Sequence, residues 1–179
     1  MMMDVNGRQF EVIRLLGKGK GGYSYLVTDG SKSYVLKQIH HEPCDYYQFG
    51  DKLASELNDY RRLSEVGIPL PRMIDVDEKQ ERILKEFIDG PTIYQLVLAD
   101  GVQQWHVDQM RQMCGILYPN GLNIDYFPTN FVVQDGKLYY IDYECNGYME
   151  QWDFEHWGHT YWEKSPQLLQ YAREHGFLR

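Results

Sequence analysis

Short apolar runs broken by glycine-containing turns fill the first forty residues, and this pattern predicts strands. "FEVIRLLG" (10–17), "YSYLVTDG" (23–30) and "SYVLKQI" (33–39) are rich in β-branched and aromatic residues, which suit a pleated surface. The Asp29-Gly30 pair marks a hairpin between the last two, because glycine accepts the positive φ of a tight turn. Over residues 48–66 the period lengthens. Phe49, Leu53, Leu57, Tyr60 and Ser64 recur at three- and four-residue steps, predicting a helix that Gly67 stops. Two more strands, "RMIDVD" (72–77) and "RILKEFI" (82–88), are joined through the charged "EKQE".

"DGPTIYQLV" (89–97) then opens a helix with proline and threonine near its start. Residues 103–117 carry Val107, Met110, Met113, Cys114 and Leu117 at helical spacing, with Cys114 expected in the helix core. "FVVQDGKLYYIDYE" (131–144) reads as a second hairpin turning on Asp135-Gly136. Residues 151–179 read as two helical pieces split near Ser165 and Pro166, in which Trp152, Phe154, Trp157, Tyr161 and Trp162 pack a small core. No internal repeat is present. "DGP" marks a boundary between residues 1–89 and 90–179, and the fold class expected is α+β.

Composition narrows the partners. A chain of 179 residues suffices for one compact domain or two small lobes. Its 43% hydrophobic and 25% charged residues are ordinary for a soluble chain, so disorder is not expected over most of its length. The net charge of −8 argues against a phosphate-backbone partner, so no nucleic acid is expected. Cys44, Cys114 and Cys145 form no CxxC pair, which suits a reducing compartment. The start lacks a charged segment followed by an apolar core, and no run reaches membrane-spanning length, so a cytoplasmic protein without a membrane partner is expected.

Against that background a few positions stand out. Gly17, Gly19 and Gly22 fit GxGxxG, a spacing that lets backbone amides approach phosphate. The dinucleotide-binding version needs a helix next, whereas a strand is predicted here, and no Gly-Lys-Ser/Thr ends the segment as a phosphate loop requires. Two readings stand, a flexible turn with solvated lysines or a glycine-rich flap between strands. Lys37 lies in an apolar strand on the face of Val35, and either snorkels at an edge or meets an anion. Glu56 flanks the middle of the apolar stripe of the following helix, where it can pair with such a lysine; Glu42 and Glu65 do not.

"GLNIDYFPTNFVV" (121–133) places Asp125 and Asn130 on a loop before a strand, and Asp142 ends the paired strand. A D-x4-N pair can simply cap a turn. With Asp142 it can also supply the hard oxygen ligands of Mg²⁺, while Asp125 orients or deprotonates a hydroxyl. His156 and His159, three apart on an expected helix, lack a third metal ligand nearby in sequence. His40 and His41 are expected to face solvent.

The order of these parts resembles the protein kinase-like phosphotransferase superfamily from Gly17 to about Glu144. "KEFIDGPTI" looks like the hinge and following helix of small atypical kinases of the Bud32 and RIO type, and "IDYECNGY" is similar to the metal-binding segment of choline kinase-like enzymes. The resemblance implies a minimal bilobal kinase-like fold: residues 1–89 form an N-lobe of antiparallel sheet and one helix, and residues 90–179 a truncated, mainly helical C-lobe. It implies ATP and Mg²⁺ as cofactors, with Gly17, Gly19 and Gly22 over the phosphates and Lys37 on them. Glu56 would hold Lys37, and the backbone of Glu86 to Ile88 would meet adenine. Asp125 would be the catalytic base, and Asn130 and Asp142 the metal ligands.

The sequence departs from the family at Asn123-Ile124-Asp125, where the usual histidine and arginine are missing, and at Asp142-Tyr143-Glu144. Lys85 fills a position that family members generally give to an apolar side chain, and it can narrow the adenine pocket. No APE sequence follows, so a complete peptide-docking platform is not expected. A serine or threonine hydroxyl of a protein is the first acceptor implied, a choline- or aminoglycoside-like alcohol the next, and an ATPase without an acceptor is a further reading. A partner protein could complete the missing platform. From another class, a pseudokinase would keep the fold as a binding or scaffold module, and a Rossmann-type oxidoreductase would need a helix straight after Gly22.

Overall fold

Asn6 and Gly7, at φ 48° and 87°, make the tight turn that starts the chain's first hairpin. It joins β1 (Met2–Val5) to β2 (Arg8–Lys18), and β1 precedes the first strand expected from sequence. β3 (Gly22–Thr28), β4 (Ser33–Ile39), β5 (Met73–Asp77) and β6 (Arg82–Glu86) complete an antiparallel sheet in the order β1-β2-β3-β4-β6-β5. The computed structural model describes residues 1–42 and 51–176. Cys44, Phe49 and the expected start of the helix at residue 48 lie outside them.

The chain divides into two compact units, Met1–Asn58 with Pro71–Phe87, and Asp59–Leu70 with Ile88–Arg179. In the first, Met3, Val5, Phe10, Val27, Tyr34, Leu36 and Leu84 bury one sheet face. Register puts Ser24 and Ile83 opposite Lys37, and Lys85 opposite Val35. Cross-strand partners share a face, so Lys37 and Lys85 lie on the side opposite the apolar core. α1 (Lys52–Val66) carries Leu53 and Leu63 inward while Ser64 is exposed, so the apolar stripe steps from Tyr60 to Leu63 and not to Ser64.

The second unit takes α1 from Asp59 onward, and α2 (Ile93–Leu98) comes next in it, its N-cap Thr92 forming a reciprocal capping box with Gln95. α3 (Gln104–Leu117) buries Met110, Met113, Cys114 and Leu117. Two short antiparallel pairs follow, β7 (Leu122–Ile124) with β10 (Cys145–Gly147), and β8 (Phe131–Gln134) with β9 (Lys137–Tyr140). β7 and β10 were not expected, and at three residues each they are too short for a period to register. The β8–β9 hairpin turns on Asp135 and Gly136 at φ 50° and 76°, the two positive angles that favour glycine.

The first of the two expected C-terminal helical pieces is not an α-helix. It is broken into two 3-10 turns, Glu150–Trp152 and Gly158–Trp162. There the backbone answers to side chains: Asp153 Oδ1 accepts the His156 N–H at 2.8 Å, and Trp162 Nε1 donates to the Tyr126 carbonyl at 2.8 Å. Phe154 and Trp162 are buried as expected, whereas Trp152 is exposed. The second piece is α4 (Pro166–His175), capped by Ser165 with proline in its first turn. The fold is therefore α+β. Among the described residues, no helix is long and apolar enough to cross a membrane.

Candidate active site

In the first unit, the segment from Gly17 to Gly22 joins two strands, as its flanking apolar pattern implied, and it is tied down at several points. Gly19 N–H donates to the Gly22 carbonyl at 2.9 Å, and His40 N–H to the Gly21 carbonyl at 3.1 Å. The His40 ring meets the Gly19 carbonyl at 2.9 Å and is only 9% exposed, so it does not face solvent as expected; His41, 61% exposed, does. Lys18 pairs with Glu42 at 3.1 Å. Gly22 is required by a close approach, since a Cβ there would sit 2.5 Å from the Gln38 carbonyl oxygen and 3.2 Å from Lys37 Cε.

Lys37 and Glu56 form an ion pair, their side chains 14% and 11% exposed. Glu56 Oε2 is buried and has no hydrogen-bond partner among the described residues. One turn earlier on α1, buried Lys52 donates to the His40 carbonyl at 2.6 Å and the Lys20 carbonyl at 3.3 Å. A cation in the first turn of a helix opposes the macrodipole, and these two carbonyls offset that cost. α1 thus presents Lys52 to the glycine segment and Glu56 to Lys37. Lys52 was not singled out in the sequence, although its four-residue spacing from Glu56 was a usable signal.

At the end of β6, Glu86 is bound to Arg72 twice: its N–H donates to the Arg72 carbonyl at 2.9 Å and its Oε1 accepts the Arg72 N–H at 3.1 Å. Lys85 beside it is buried at 5% exposure. Ile88, assigned to the second unit, is also buried.

The second unit brings Asp125, Asn130 and Asp142 into one hydrogen-bonded arrangement. Asn130 Nδ2 donates to the Asp125 carbonyl at 3.3 Å, and Asp125 Oδ1 accepts the Phe127 N–H at 3.1 Å. Ile141 N–H donates to the Asn130 carbonyl at 2.9 Å, which ties the Asp125 loop to the residue before Asp142. Asp142 Oδ1 accepts from the Tyr143 N–H at 2.7 Å and the Glu144 N–H at 3.4 Å. The chain therefore leaves the ladder after Tyr140, and the expected strand through Glu144 is cut short. Tyr143 is buried with its ring 4.6 Å from that of Tyr60, and Cys145 N–H donates to Asp59 Oδ2 at 3.3 Å.

Tyr140 is a site residue that sequence reasoning missed. It is fully buried, and its hydroxyl accepts the Asp125 N–H at 3.3 Å while donating to the Glu144 carbonyl at 2.7 Å. Burial, reinforced by the negative charges of Asp142, Asp125 and Glu144, holds this phenol well above its usual range. Its signal was slight: a tyrosine on the buried side of β9 needs an acceptor for its hydroxyl.

The donor set suits Mg²⁺. Asn130 commits its amide nitrogen to backbone and so presents oxygen, and Asp142 adds a carboxylate, both hard ligands. Among the described residues no three His, Cys, Asp or Glu side chains gather as a metal cage. Mg²⁺ needs none, since it commonly takes one or two protein oxygens with waters and substrate phosphates. His156 lies in a turn and His159 in the short 3-10 helix Gly158–Trp162, so the two do not share one helix. His156 is occupied by Asp153 at 2.9 Å and Glu150 at 3.2 Å. Burial pushes the Cys145 thiol up to about 12 and the Cys114 thiol up to about 11, which leaves both inert at neutral pH.

No family model matches this chain. It is similar to the KEOPS complex subunit Bud32 of Pyrococcus abyssi, with 22% identity over 129 residues, covering 68% of this chain and 56% of that protein. The chain spans about half the length of that relative. The similarity supports the protein kinase-like superfamily.

Proposed function

We propose that the chain is an ATP- and Mg²⁺-dependent phosphotransferase, with residues 1–89 as its N-lobe and 90–179 as a reduced C-lobe. The observation that carries this reading is the linked set of Asp125, Asn130 and Asp142, in which the Asn130 amide bonds the Asp125 carbonyl and the Ile141 N–H, one residue before Asp142, bonds the Asn130 carbonyl. Asp125 accepts the proton of an attacking hydroxyl, which bonds to the γ-phosphorus as the bond to the β–γ bridging oxygen breaks and ADP leaves. Lys37, fixed by Glu56, binds the α- and β-phosphates beneath Gly17, Gly19 and Gly22. The backbone of Glu86 to Ile88 holds adenine; the Glu86 N–H is spent on Arg72 and is not the donor. Asn130 and Asp142 hold Mg²⁺, which when bound neutralises charge on the phosphate oxygens. A serine or threonine hydroxyl of a protein is the acceptor, and the likeness to a subunit of a complex supports a partner protein.

A second reading, a non-catalytic binding module, is favoured by Lys85, whose buried ammonium-bearing side chain takes up room on the Lys37 face of the sheet. Calorimetric titration of ATP with and without Mg²⁺ separates the two. Under the phosphotransferase reading, binding is saturable, weakens without metal, and falls about tenfold or more in Lys37→Met and in Asp142→Asn, or about 1.4 kcal/mol per factor of ten. A folded wild-type protein that binds no nucleotide sinks it.

A further inference from the structure

We infer that the Tyr140 hydroxyl is a positioning group for the candidate base, a pin that sets Asp125 against the segment bearing Asp142. The inference rests on the phosphotransferase reading. Two bonds make the pin and a third runs beside it. Asp125 gives its backbone N–H to the phenol oxygen at 3.3 Å, the phenol gives its proton to the Glu144 carbonyl at 2.7 Å, and Ile141 N–H reaches the Asn130 carbonyl at 2.9 Å. Asp125 stands one residue past the end of β7, and Glu144 one residue before β10, so both bonded groups lie just where a short ladder has stopped. Ile124 and Cys145 form the terminal pair of that ladder, and the phenol bridges the two residues next to them.

The ring is itself rigidly placed. Tyr140 ends β9 opposite Phe131, with ring centroids 5.2 Å apart, and its own N–H donates to the Pro69 carbonyl at 3.0 Å. A phenylalanine would fill the same space, and burying a hydroxyl is costly unless it is bonded. The hydroxyl therefore contributes through what it bonds, and those partners are the backbones of the candidate base and of the segment carrying a candidate metal ligand. Rate in phosphoryl transfer comes largely from such positioning, where a displacement of an ångström is felt. Tyr140 acts through Asp125 and is a positioning residue.

The test measures ADP production from MgATP by wild type, Tyr140→Phe, Phe131→Leu and Asp125→Asn, with melting temperatures and with rates normalised to folded protein. The expected result for Tyr140→Phe is a kcat lowered about tenfold, roughly what one lost buried hydrogen bond supports, with KM for MgATP within about twofold of wild type. Phe131→Leu disturbs the same packing without touching the hydroxyl, so it should lower the melting temperature and keep kcat. Wild-type kcat in Tyr140→Phe overturns the inference, as does an equal loss of kcat in Phe131→Leu, which would make the residue merely structural. Asp125→Asn guards the reading beneath: if it turns over MgATP like wild type, the phosphotransferase assignment fails whatever Tyr140→Phe does. If Asp125→Asn is dead and Tyr140→Phe is normal, only the role of Tyr140 falls.

Discussion

A lysine and a glutamate about one-tenth exposed make an interaction whose loss and whose replacement have different consequences. Removing one partner strands the other charge away from water, while removing both can be nearly neutral. Glu56 is already short of partners, since its Oε2 is buried without a hydrogen bond among the described residues. Lys37→Met should therefore destabilise the protein by about 2–4 kcal/mol, and Lys37→Met/Glu56→Leu should recover most of that by urea denaturation. Nucleotide binding should stay lost in both, and a double variant that regains it would deny Lys37 its phosphate role. Lys37 and Glu56 were legible in the sequence because a charge inside an apolar period is conspicuous. Tyr140, Lys52 and His40 were not, because each answers to backbone carbonyls or amides from other elements, and no side-chain pattern records where those lie.

Elements were legible in proportion to how local their causes are. Asp135-Gly136 fixed a hairpin through two backbone angles, and Ser165-Pro166 fixed the start of α4. The 3-10 turns after Met149 were misread as helix because their aromatic spacing imitates a helical stripe, while the deciding bonds run from Asp153 and to Tyr126. The N-terminus of α3 offers a test on one element. His106, 3% exposed, accepts the Gln103 N–H on Nδ1 at 2.8 Å, and burial lowers its pKa from the usual value near 6.5. The folded state resists a proton that the unfolded state takes, so this contribution to stability is intact above about pH 6.5 and is lost as pH falls through the folded value. His156 has the opposite shift, raised by its bond to Asp153, and stabilises at low pH. Melting temperatures between pH 8 and pH 5 should fall less steeply for His106→Gln than for wild type, and parallel curves would clear His106 of the effect.

At the scale of the whole chain, the −8 charge and the apolar content were plain from composition and say nothing of how the chain is partitioned. That partition is not a single cut. The second unit takes Asp59–Leu70 as well as everything from Ile88, so the chain enters it, leaves it and returns. Its core shows why: Leu63 and Ile68 are buried in the same cluster as Ile93, Tyr94, Leu117, Phe131 and Tyr140. A cut between residues 89 and 90 accordingly divides this core. A fragment of residues 90–179 lacks two core side chains whose loss leaves cavities, and a Leu-sized deletion in a packed core costs about 2–5 kcal/mol each time, a large part of a domain's usual margin. It also lacks Pro69, whose carbonyl accepts the Tyr140 N–H at 3.0 Å. Residues 90–179 alone should therefore show no cooperative thermal transition by circular dichroism, whereas residues 59–179 should gain one. A sharp transition in the shorter fragment would mean that the segment from Asp59 to Leu70 is dispensable to that core.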